Sequence, residues 1–204
     1  MYISSSRTAV DWFEIRDSLT SGTNIDAWTD VIEHFLHDRL FTRYIDPIES
    51  IRIRGGSKGE GFAIVTIQCA LMEFLESSAQ GKNYRFARRG DPPLSANEYT
   101  GSREMFTSFL SKRQPFNAIF DEILAGDFYE GVRCALLHEA CTKGGWTIQK
   151  RSENGVPVSS QTKVLFRDNL HESLLSYIQN YEGALLRSAE LQLAFVRKFD
   201  ALAR

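Results

Sequence analysis

The sequence predicts a mainly α-helical fold, a helical bundle with a small β-hairpin inserted before a long C-terminal helix. Three observations predict it. Ile25, Trp28, Ile32, Phe35, Leu36 and Leu40 recur three and four apart, which lays them on one face of a helix. The stretch from Gly61 to Leu75 is apolar nearly all round, as a helix in the centre of a bundle is. The region from Trp146 to Phe166 joins two apolar runs through Asn154-Gly155, a strong tight-turn signal.

The elements follow in order. Ala9 to Leu19 is apolar enough to pack, although its period is ambiguous. Asn24 or Asp26 caps a helix running to about Tyr44, which Asp46-Pro47 ends. Ile48, Ile51 and Ile53 lead into Arg54-Gly-Gly-Ser-Lys-Gly-Glu-Gly61. This loop lacks the G-x-x-x-x-G-K-[ST] pattern of a phosphate cradle and reads as a connector. After the central apolar helix, residues 81–93 break the pattern. Helices follow at about Arg103–Arg113 and Phe116–Leu124, with Gly126 closing the second. Asp127 caps the next, through Cys141 to the stop at Gly144-Gly145. Trp146–Lys150 and Val164–Phe166 pair as strands, with Pro157 marking an irregular segment between them. Asp168 or Asn169 caps the last long helix, whose apolar residues run from Leu170 to Leu202 with larger gaps. The organisation expected is one domain over 1–204, with extension helices in 1–55 and the hairpin in 146–166.

At 204 residues such a domain buries roughly 70% of its unfolded surface and folds without staples. A net charge of −2 supplies no global attraction to nucleic acid, so RNA binding requires a local basic patch. Cys69, Cys134 and Cys141 are an odd set without paired spacing, which points to free thiols in a reducing compartment. The N-terminus lacks the apolar core of a signal peptide, and Gly61–Leu75 is short for a bilayer and carries Gln68 and Glu73. The reading is cytoplasmic, with no metal or cofactor.

Few residues offer chemistry. His34 and His37 lie three apart on a helix beside Glu33 and Asp38, where a metal site is conceivable; they read instead as polar residues on the solvent face of an amphipathic helix. His171 falls in the first turn of the last helix, where exposure is expected. In Gly81–Pro93, Arg85, Arg88 and Arg89 alternate with Tyr84 and Phe86. Cations there can pair with phosphate while aromatic faces stack on bases, so this loop is the RNA-contact candidate; the alternative is a solvated loop whose aromatics dock on the core. Arg133 and His138 stand in Arg133-Cys-Ala-Leu-Leu-His138, an otherwise apolar helical stretch. Unpaired charge is costly to bury, so these two either reach a surface or line a cleft or an interface. If the pair carries no chemistry, Arg133 bonds a carboxylate such as Glu73 or Glu130 and His138 is a satisfied core or interface histidine.

An arginine, four residues and a histidine, on a late helix of a bundle, resembles the HEPN superfamily of bacterial defence and toxin systems. The resemblance covers roughly Gly61 to Gly144, with a specific motif six residues long. It implies a HEPN-type bundle and a metal-independent endoribonuclease, in which two subunits face their motif helices across a shared cleft. His138 would act as general base or acid on the 2′-hydroxyl or the leaving 5′-oxygen, since imidazole titrates near neutral pH. Arg133 would hold the scissile phosphate and offset charge in the transition state. The product would end in a 2′,3′-cyclic phosphate. The chain departs from the family at two places. Cys134 follows the arginine, where active members often carry a polar residue. Ala140 stands where some toxin members have a tyrosine that a partner protein modifies. Positions five apart on an ideal helix point about 140° from each other, which favours a site shared between subunits or an irregular helix. Besides the enzyme, two readings remain: an inactive HEPN scaffold, and a regulatory protein that docks on another chain through its hairpin, Trp146 and the last helix.

Overall fold

A computed structural model describes residues 1–19, 24–56 and 58–204 of the chain. It is mainly helical, with short strands in small sheets. The residues divide into two compact units. One comprises Met1–Pro47, Ser77–Gly101 and Asn180–Arg204; the other comprises Ile48–Glu76 and Ser102–Gln179.

The first unit begins with α1 (Ala9–Leu19) and α2 (Ile25–Val31). Asn24 caps α2 as expected, its side chain accepting from the Ala27 N–H at 3.2 Å. Beyond α2 the helix does not end at Asp46-Pro47. It continues through a π-helical turn (Ile32–His37), α3 (Asp38–Leu40), a second π turn (Phe41–Ile45) and α4 (Asp46–Arg54). The Asp46 N–H reaches back five residues to the Phe41 carbonyl. That wider turn directly before Pro47 relieves the clash between the proline ring and the preceding turn, so the proline is carried inside the helix. The unit's core is aromatic. Trp12 meets Phe35 edge-on at 5.5 Å and Phe199 at 5.4 Å, and Phe195 stacks on Phe199 at 4.1 Å. The Trp12 indole N–H is satisfied by Asp200 at 2.9 Å, and Arg16 holds the same carboxylate.

Helix α5 (Glu60–Gln80) supplies residues to both units. At 21 residues it is long and apolar enough to cross a membrane by length and composition, which revises the shorter span read from sequence. Most of it is nevertheless packed inside the protein, where Gln68 and Glu76 are fully buried among polar partners. Glu76 accepts from the Ser108 hydroxyl and from Arg113, each at 2.7 Å. Phe62, Ala63 and Ala70 are open, so α5 is less enclosed than its all-round apolarity predicts. Strands β1 (Asn83–Tyr84) and β2 (Glu98–Tyr99) then form a two-stranded parallel ribbon where a loop was expected.

In the second unit, α6 (Arg103–Lys112) and a 3₁₀ turn (Phe116–Ala118) precede α7 (Glu122–Phe128). Gly126 and Asp127 sit inside α7 rather than at a break. The N-cap is Asp121, which accepts from the Leu124 N–H at 2.7 Å. Asp127 instead accepts from the Trp146 indole and the Lys163 ammonium, each at 2.9 Å. The helix continues through a π turn (Tyr129–Cys134) into α8 (Ala135–Glu139), which Ala140 ends in a left-handed conformation.

The expected hairpin is a three-stranded sheet in the order β3 (Thr147–Gln149), β5 (Val164–Phe166), β4 (Val158–Ser159). β3 and β5 are parallel, not antiparallel. The residues between them are long enough for a crossover, and β4 takes the antiparallel place beside β5. The long C-terminal helix is two helices, α9 (Arg167–Leu185) and α10 (Ala189–Leu202). The gap between the apolar residues Leu185 and Leu193 marks the break, where the Ser188 hydroxyl caps α10 by accepting from the Leu191 N–H at 3.3 Å. Asp168 and Asn169 lie within the first turn of α9 rather than at its cap.

Candidate functional site

Arg133 sits in the π turn between α7 and α8, and His138 in the last turn of α8. The motif helix is therefore irregular, and π turns recur at functional sites. Arg133 is half-buried and held on two sides. Its Nη2 lies 3.3 Å from Glu73 Oε2, and its guanidinium carbon stands 5.5 Å from the centre of the Tyr129 ring. Arg103 stands at the same distance from that ring and pairs with Glu130. The Tyr129 hydroxyl is hydrogen-bonded to Ser102 at 2.9 Å, and burial, above all other causes, raises its pKa. Arg133 thus pairs with Glu73, as the non-catalytic alternative expects, while Glu130 goes to Arg103.

His138 is exposed, next to the exposed Leu137, and no hydrogen bond or ion pair links it to Arg133. The sequence brings the two onto one short helix, and the fold braces one and leaves the other open. Cys134, directly after the arginine, is only partly buried, whereas Cys69 on α5 is enclosed and burial pushes its thiol up to about 12.

The basic loop belongs to the other unit. Tyr84 is exposed and packs edge-on against Tyr99 at 5.7 Å. Arg85 pairs with Glu98 at 3.1 Å and donates to the Pro92 carbonyl at 2.8 Å. Arg88 and Arg89 are exposed with no ion pair among the described residues. His34 pairs with Asp30 at 3.5 Å, and His37 with Glu182 at 2.9 Å while stacking on Phe41. Among the described residues no three His, Cys, Asp or Glu side chains are grouped to hold a metal ion.

The sequence reading missed a buried polar network at the start of α9. Arg167, Asp168, Asn169 and His171 are all buried, so the expectation that His171 is exposed is corrected: it is 0% exposed. Its Nε2 lies 2.9 Å from Glu49, which also takes Arg52 at 2.6 Å. Arg52 reaches Asp168 at 3.2 Å, and Arg167 pairs with Glu60 and lies 3.6 Å from Asp168. The Gln68 amide donates to the Arg167 carbonyl at 2.8 Å. Burial lowers the His171 pKa against the pull of Glu49. Four polar residues in five at the head of an amphipathic helix were the available signal.

Cavities of about 620, 290 and 220 Å³ lie in the β4–β5 region, beside α1, and at the start of α5; none of these three is lined by Arg133 or His138. Trp146 is buried edge-on against Phe128 at 5.0 Å, which removes it from any docking surface. In comparisons with known proteins, the chain matches no family model, no curated protein and no solved structure.

Proposed function

We propose that the chain is a HEPN-type, metal-independent endoribonuclease of the cytoplasm, whose site is completed at a homodimer interface. The observation that carries this reading is the contrast within one helix. Arg133 is fixed by Glu73 and Tyr129, while His138, one turn beyond, is exposed and uncommitted. A braced arginine gives a positively charged group of defined direction for a phosphate, and an open imidazole is what a proton-transfer step on RNA requires. Because they do not meet within the chain, the arginine of one subunit would work with the histidine of its partner. From the basic loop, Arg85, Arg88, Arg89 and Tyr84 would contact the RNA strand.

A second reading has its own support. The ion pair with Glu73 occupies the guanidinium, as in a HEPN-like scaffold that binds a protein partner without cutting RNA. Cleavage of end-labelled single-stranded RNA in EDTA separates them. The ribonuclease reading expects products ending in 2′,3′-cyclic phosphate. It also expects a loss of at least about a hundredfold in rate for His138→Ala, the usual worth of a general acid or base. Equal behaviour of wild type and His138→Ala would overturn it in favour of the scaffold.

A further inference from the structure

We propose that the second unit carries a binding site for a phosphate monoester, in the cavity bounded by the first turn of α5, strand β3 and Arg167. The cavity measures about 220 Å³ and belongs to none of the ribonuclease residues. Its volume is some seven times a water molecule's share of about 30 Å³, which is room for a phosphate and the first atoms of the group bearing it.

Charge selects the ligand. Arg167 and Lys150 both line the cavity, and no carboxylate does. Arg167 is only 5% exposed and is held by Glu60 on Nη2 and Asp168 beside Nε. Its Nη1 makes no hydrogen bond or ion pair among the described residues. Gly61 lies close beside this nitrogen: a Cβ there would stand 3.9 Å from Nη1 and crowd Ile148 Cγ2 at 3.2 Å. Lys150 forms no ion pair among the described residues. Its carbonyl accepts from the Asp168 N–H at 3.0 Å, which ties its backbone to the head of α9. Lys150 supplies an unpaired charge, and Arg167, whose own charge Glu60 and Asp168 already match, supplies Nη1 as a hydrogen-bond donor; together they suit a monoester, which carries about −1.5 to −2 at neutral pH, better than a singly charged diester. Since the arginine is already immobilised, the ligand gains its hydrogen bonds without ordering that side chain. Phe62, 40% exposed, offers an apolar surface in the lining for the group attached to the phosphate.

Calorimetric titration of the whole protein with methyl phosphate and dimethyl phosphate, at constant ionic strength, tests this. Saturable one-to-one binding of methyl phosphate is expected, with dimethyl phosphate much weaker. Lys150→Ala, a substitution at an exposed residue, should weaken binding by about tenfold, as expected for one charge-assisted hydrogen bond. Arg151→Ala should leave it unchanged, because Arg151 pairs with Glu172 and does not line the cavity. A linear, non-saturating response, or equal affinity in Lys150→Ala with its melting temperature intact, would overturn the site. Equally tight dimethyl phosphate binding would overturn the monoester assignment.

Discussion

At the scale of single residues, burial decides which side chains carry consequence. His171 is the sharpest case. Its folded pKa lies below the ordinary imidazole value of 6.5 because burial opposes the charge, so the unfolded chain binds a proton more readily. The neutral form therefore contributes stability above about pH 6.5, and that contribution is lost as pH falls through the folded value. Urea denaturation followed from about pH 7.5 down to about pH 5 should show declining stability, and His171→Gln should flatten the decline. A wild-type curve flat across that window would contradict the burial of this ring. Asp38 acts in a lower window. Burial raises its pKa, but hydrogen bonds from Ser5, Ser4 and Ser6 outweigh that and hold it at about 2. Residue chemistry was only partly legible from sequence. Arg133 stood out because charge in an apolar helix needs a partner, and Glu73 provides it. His171 misled because a histidine in the first turn of an amphipathic helix has nothing local to show that Glu49, far back in the sequence, covers it.

At the scale of elements, helix starts were legible only in part: Asp127 lies inside α7, and Asp168 and Asn169 lie within the first turn of α9 rather than at its cap. Caps are local, and Asn24 worked as such. Gly126 reads as a stop, yet it lies inside α7, where a Cβ would meet only the movable Arg103 guanidinium, at 3.1 Å. Gly131 is the stronger example. A Cβ at that position would fall 2.5 Å from Trp146 Cδ1 and 2.9 Å from the Lys143 carbonyl oxygen. One of those atoms is backbone and cannot step aside, so Gly131→Ala should destabilise the protein by about 1–3 kcal/mol, measured by chemical denaturation. Unchanged stability would mean that Trp146 does not pack against the π turn. Pro47 failed as a helix stop for a related reason: the π turn before it absorbs the ring, and no propensity scale reports an i→i+5 turn. The parallel pairing of β3 with β5 was equally hidden, since an Asn-Gly turn predicts where the chain reverses and not which strand it reverses onto.

At the scale of the whole molecule, the mainly helical architecture was legible because periodicity repeats over many residues and errors at single positions cancel. The division into two compact units was not, because it depends on contacts between segments far apart in sequence, such as Trp12 with Asp200. The proposed chemistry also belongs to this scale, since neither Arg133 nor His138 completes a site by itself. The most direct measurement mixes two variants, Arg133→Ala and His138→Ala, each expected to be inactive alone, and follows RNA cleavage in EDTA. In a mixed dimer with a shared site, the intact histidine of one subunit faces the intact arginine of the other, so one working site is regenerated and cleavage returns. No recovery in a mixture shown to exchange subunits would contradict a site shared between two copies of the chain.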